Sequence, residues 1–250
     1  LNLFAMWKQE ARSRERAREM EAAPRVAFRT AWDQLIQRPG MLRLLFMIGL
    51  GTFGFGMADV LLEPYGAQAL GFSVAETTRL TALLATGTLI GFAIASRQLG
   101  NGGAALPLGR LGALIGIPGF LAIIASSIAG GPVLFLAGTL ATGIGAGLFG
   151  HATLTATIQK APKDKIGLSL GAWGAVQATC AGIGVALAGV IRDVLVGIPA
   201  EGGLSSALPY NVVFMIEVLF LILAVLMAVP RGRRLVRSVV DKKAKSLEVS

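Results

Sequence analysis

Six apolar runs, at residues 41–60, 80–96, 107–128, 132–157, 168–191 and 209–229, dominate this chain, and each approaches the ~20 residues that cross the hydrocarbon core of a bilayer. In lipid a backbone segment has to satisfy its own hydrogen bonds, so runs of this length are helices. A 54% share of hydrophobic residues and a mean hydropathy of +0.69 exceed what a soluble domain of 250 residues needs to fill one core. The 33 glycines point the same way, because small residues let membrane helices approach backbone to backbone. The expected fold class is all-α integral membrane, with six transmembrane helices.

The formal charge of +9 is explained by where the charges lie. Of the 23 Lys and Arg, nine stand at or before Arg43, Arg97 and Arg110 bracket the second loop, Lys160, Lys163 and Lys165 occupy the fourth, and seven follow Pro230. All 21 fall on one side of a six-span topology, and Arg79 and Arg192 fall on the other with Glu63, Glu76, Asp193 and Glu201. Short basic loops stay in the cytoplasm, which places both termini there. Nucleic acid is thereby excluded as the reason for the basic charge, and anionic lipid is the expected partner of these loops. The chain begins LNLFAMWKQEAR, without an initiator Met or a cleavable signal sequence, and reads as the continuation of a preceding helix.

Three regions are expected. Residues 1–40 form a cytoplasmic linker carrying an amphipathic helix, opened by Pro24 and closed by Pro39-Gly40, whose Phe28, Trp32, Leu35 and Ile36 share the face laid on the membrane surface. Residues 41–229 form the six-helix unit, arranged as two inverted three-helix repeats. Residues 230–250 are a basic cytoplasmic tail. Ser73-Val-Ala-Glu76 has the spacing of a capping box before the second run, Pro118-Gly119 predicts a kink in the third, and Gly130-Gly131 with Pro132 opens the fourth.

Ionisable residues inside a bilayer are costly unless paired or hydrated, so each is a candidate for function. Asp59 and Glu63 lie four apart at the outer end of the first run, where they solvate an interface, bind a cation or relay a proton. Arg192 and Asp193, at the outer end of the fifth, make a local pair within reach of either acid. Glu217 lies about eight residues into the sixth run, roughly 12 Å deep by helix rise, and has to be paired, protonated or facing a cavity. Cys180, the single cysteine, has no disulfide partner.

In the fourth run Gly143, Gly147, His151 and Thr155 recur every four residues. This face admits two readings: close helix packing, with His151 bonded across helices, or a flat apolar ligand on the glycines with the imidazole coordinating its metal. In the fifth run Gly174, Ala178 and Gly182 form a similar stripe, and Trp173 and Gln177 share a face that contacts a ligand or packs. One His and one Cys cannot build a multi-ligand metal site, and no nucleophile with a base or phosphate-binding fingerprint is present, so an enzyme is not expected.

At WKQEAR (7–12), DVLLEPYG (59–66), ETTRLTAL (76–83), GLFGHATLTAT (147–157), GAWGAVQAT (171–179) and IRDV (191–194) the chain resembles the PucC-like family, the bacteriochlorophyll-delivery branch of the major facilitator superfamily. The resemblance implies the C-terminal half of a twelve-helix fold, with the N-terminal half of the same fold as partner. It also implies a bacterial inner, photosynthetic intracytoplasmic membrane and a role in assembling light-harvesting antenna complexes. Bacteriochlorophyll and the antenna polypeptides or reaction-centre antenna complex would be the partners, and His151 the axial ligand of the pigment magnesium. The loop from Arg97 to Arg110 lacks the acidic-basic signature common in facilitator halves, which departs from an ordinary transporter. The residues themselves leave two other readings open: a proton-coupled small-solute carrier using Asp59 or Glu217, and a ligand-free scaffold.

Overall fold

The computed structural model describes residues 28–129, 131–197 and 206–229. The expectations for residues 1–27, Gly130, Glu201 and the tail 230–250 lie outside them. The described residues form eight helices: α1 (Phe28–Ile36), α2 (Met41–Gly56), α3 (Ala58–Leu70), α4 (Val74–Gly100), α5 (Ala105–Ala129), α6 (Pro132–Lys160), α7 (Ile166–Val196) and α8 (Leu208–Ala228). With α2 and α3 taken together as one span of 30 residues, six are long and apolar enough to cross a membrane. The chain is a multi-pass membrane protein.

The first span corrects the boundary expected from composition. Its helix does not stop near residue 60 but continues through DVLLEPYG to Leu70, after a single break at Met57. Asp59 therefore lies eleven residues from the helix end, roughly 16 Å along the axis by helix rise. Leu70 is followed by Gly71, whose φ of 70° is the left-handed conformation that closes a helix, and Ser73 and Glu76 then open α4 with a reciprocal capping box. The Ser73 amide donates to Glu76 Oε2 at 2.8 Å and the Ser73 hydroxyl at 2.7 Å, so Glu76 is a cap. Pro118 lies inside an unbroken α5, and Pro132 occupies the first turn of α6.

The pairing of the spans has an internal symmetry. The second packs on the fourth as the fifth packs on the first, the third packs on the fourth as the sixth packs on the first, and the third and sixth meet each other. Exchanging spans one to three with four to six maps this pattern onto itself, which is what two three-helix repeats produce. Glycine makes the closest pairings. A β-carbon at Gly112 would stand 2.6 Å from the Gly145 carbonyl oxygen, and one at Gly91 would stand 2.3 Å from that of Ile144, so α6 is gripped by α5 on one side and α4 on another.

Where α3, α5, α6 and α8 meet, Tyr65, Phe120, Phe135, Tyr210 and Phe214 form a buried aromatic cluster, with Tyr65 donating to the Ile123 carbonyl at 3.0 Å. Outward, Phe46, Leu89, Val190, Leu219 and Leu226 are exposed, the apolar exterior that suits a bilayer. Helix α1 buries Leu35 completely against Met41, Leu44 and Leu45, and Lys165 donates to Gln34, which ties α1 to the start of α7.

Candidate functional site

The first, second, fourth and fifth spans line a cavity of about 590 Å³ that is open on one side. The small faces on two of its walls explain why it exists. Ala146 and Gly150, one turn apart on α6, and Gly174, Ala178 and Ala181 on α7 line it without filling it. Its aromatic walls are Phe55, Phe149 and Trp173. Phe149 is fixed because Gly51 leaves no side chain in its way: a β-carbon there would come within 2.1 Å of the ring. Trp173 is oriented by its indole N–H, which donates to the Thr153 hydroxyl of α6 at 3.4 Å, while Thr153 itself donates to the Phe149 carbonyl at 2.8 Å.

Two polar side chains reach this largely apolar space. Gln177 is half-buried on the wall it shares with Trp173, and Asp59 lines both this cavity and a neighbouring one of about 510 Å³ walled by Leu62, Thr81 and Leu84. Neither makes a hydrogen bond or an ion pair with a described residue. Of the sequence-derived candidates, the structure thus brings together Trp173, Gln177 and Asp59. Phe55, Phe149 and Thr88 were missed, although the TFGFG run and the small positions around Phe149 mark two of these walls.

The glycine face of α6 lies elsewhere. Gly143 and Gly147 are buried against α4, where β-carbons would stand 2.4 Å from the Leu84 carbonyl oxygen and 2.2 Å from that of Thr88. A backbone occupies the surface on which a flat ligand was expected to lie. His151, one turn further on, is half-buried and meets Phe92 edge to face at 5.8 Å between ring centroids, and it does not line the cavity. The fifth-span stripe divides as well: Gly174 and Ala178 line the cavity, whereas Gly182 does not.

The remaining charges separate in the same way. Glu63 accepts from the Thr81 hydroxyl and stays outside the cavity. Arg192 pairs with Asp193 at 2.7 Å, donates to the Tyr210 hydroxyl at 3.3 Å and lies over the Tyr210 ring, so it does not reach Asp59 or Glu63. Tyr210 passes the link to Gln68 Oε1 at 2.7 Å, tying α8 and α7 to the end of α3. Glu217 is completely buried; the groups acting on it are the backbone amides of Met57 and Ala58 and the Asp59 carboxylate, and neither of its oxygens has a hydrogen bond of ordinary geometry. Among the described residues, no three His, Cys, Asp or Glu side chains converge as metal ligands would.

A family model described as PUCC protein matches residues 1–235. The chain is 62% identical over 237 residues to "Protein PucC" of Rhodobacter capsulatus, covering 94% of this chain and 51% of that protein. It is 50% identical over 230 residues to "Protein PucC" of Cereibacter sphaeroides, covering 92% and 50%. At 26% identity over 238 residues it is also similar to "Bacteriochlorophyll synthase 44.5 kDa chain" of Rhodobacter capsulatus, covering 91% and 52%. The chain spans about half the length of the curated relatives it matches.

Proposed function

The chain belongs to the PUCC protein family, and from that membership we propose that it is an assembly factor for light-harvesting antenna complexes, holding or delivering bacteriochlorophyll inside the bilayer. Its antenna polypeptides or reaction-centre antenna complex would dock from the lipid, in a bacterial photosynthetic inner membrane with both termini cytoplasmic. The cavity of the first, second, fourth and fifth spans is the observation that carries this reading.

The residues present fit such a pigment. When bound, bacteriochlorophyll would supply a flat apolar macrocycle and a magnesium able to take a donor from the protein. The cavity offers flat walls in Trp173, Phe55 and Phe149, a volume within the roughly 300–1,000 Å³ of small-molecule sites, and two oxygen donors of the class magnesium accepts, the Gln177 side-chain carbonyl and the Asp59 carboxylate. Trp173, held on Thr153, orients a ring; Ala146, Gly150, Gly174 and Ala178 leave it space; the apolar lining excludes water. His151 has no part in this arrangement, because it faces Phe92. The N-terminal half of the fold, expected in relatives of about twice the length, would close the open side of the cavity.

Replacing the genomic copy with Ala178→Trp, which puts an indole into the cavity, tests the reading. Normal protein abundance with reduced antenna absorption is expected, and undiminished antenna at equal abundance would contradict it.

A further inference from the structure

We infer that Glu217 and Asp59 form a proton-binding site at the break in the first span, with the proton resident on Glu217 and Asp59 its path from the cavity. Glu217 takes no part in the proposed pigment site, whereas Asp59 lines that cavity as well, so the test below reads the proton directly and not antenna assembly.

Four observations converge on it. Glu217 is the one ionisable side chain among the buried polar residues described, and its exposure is zero. An anionic carboxylate cannot be kept dry in a membrane interior without a cation or a full set of donors. Among the described residues Glu217 has neither: both oxygens lack a hydrogen bond, and its neighbours at the break are the Met57 and Ala58 amides and a second acid, Asp59. A bound proton resolves this, leaving a neutral acid beside the amides.

The break itself supplies those amides. Met57 is the single residue separating α2 from α3, and the first amides of α3 have no carbonyl one turn earlier within their own helix. Gly54, on the other side of the break, lets α8 come close: a β-carbon there would stand 3.1 Å from the Glu217 carbonyl oxygen and 2.6 Å from Leu221. Glu217 therefore lies beside the N-terminus of a thirteen-residue half-helix.

No other charge competes for it. Among the described residues, the elements packed on α8 are α2, α3, α5 and α7. α2 brings Arg43, in its first turn and bonded to the Val229 carbonyl. α5 brings Arg110 near its start, and α7 brings Arg192 and Asp193, which are bonded to each other. α3 brings Glu63, which accepts from Thr81, and Asp59. Of these, Asp59 alone acts on Glu217, and it is exposed to both cavities.

Infrared difference spectroscopy of the intact protein in lipid nanodiscs tests the site. A protonated-carboxyl band is expected at neutral pH, absent in Glu217→Gln and retained in Asp59→Asn, where its shift on transfer to deuterium oxide slows several-fold. An unchanged band in Glu217→Gln would overturn the assignment of the proton, and unchanged exchange in Asp59→Asn would overturn the path. Should Glu217→Gln fail to accumulate, the isotope-labelled glutamate signal of the parent decides: a carboxylate signal alone from the buried glutamate contradicts the site.

Discussion

Gly147 of the fourth span lies so close to the second span that a β-carbon on it would stand 2.2 Å from the carbonyl oxygen of Thr88. Backbone cannot give way as a flexible side chain can. Gly147→Ala is therefore expected to destabilise the folded protein by about 1–3 kcal/mol, the usual cost of overpacking. Gly174→Ala, placed on the open cavity wall, should change stability by less than about 0.5 kcal/mol. Thermal unfolding of both purified variants checks the contrast, and equal losses would show that the two glycines are not distinguished by packing.

The capping box makes a smaller and independent claim. Ser73→Ala removes a hydroxyl bonded to Glu76 at 2.7 Å and leaves the start of α4 less well capped. A loss of about 1 kcal/mol is expected. Antenna assembly should be unaffected, because neither residue reaches the cavity.

The segregation of basic residues makes a claim about sidedness. In a background with Cys180 replaced by Ser, a membrane-impermeant thiol reagent applied from outside should label Ser73→Cys and Glu201→Cys but not Lys163→Cys. The opposite labelling would reverse the topology.

Much of this architecture was legible because crossing a bilayer demands length and apolarity, and six runs met both. The end of the first span was not legible. Asp59 and Glu63 interrupt its apolar run and look like an interface, yet Asp59 faces a cavity and Glu63 is bonded to Thr81, so neither needs to end the helix. The site divided for a different reason. Trp173 and Gln177, grouped in the sequence by their shared face on α7, both line the cavity. The stripe of Gly143, Gly147 and His151 misled because a row of small residues accommodates a flat ligand and a neighbouring backbone equally well. Sequence spacing cannot say which one is there. In α6 the small residues point three ways: Gly138 and Gly145 toward α5, Gly143 and Gly147 toward α4, and Ala146 and Gly150 toward the cavity.

Pigment handling is decided most directly by what the cavity holds. The intact protein, purified in mild detergent from a bacteriochlorophyll-producing host, should carry pigment measurable as bacteriochlorophyll absorbance per protein. That ratio should fall to background in Ala178→Trp, which fills the cavity, and stay at the parental level in His151→Phe, whose side chain faces Phe92. Pigment retained in Ala178→Trp, or lost only in His151→Phe, would contradict pigment binding in the cavity.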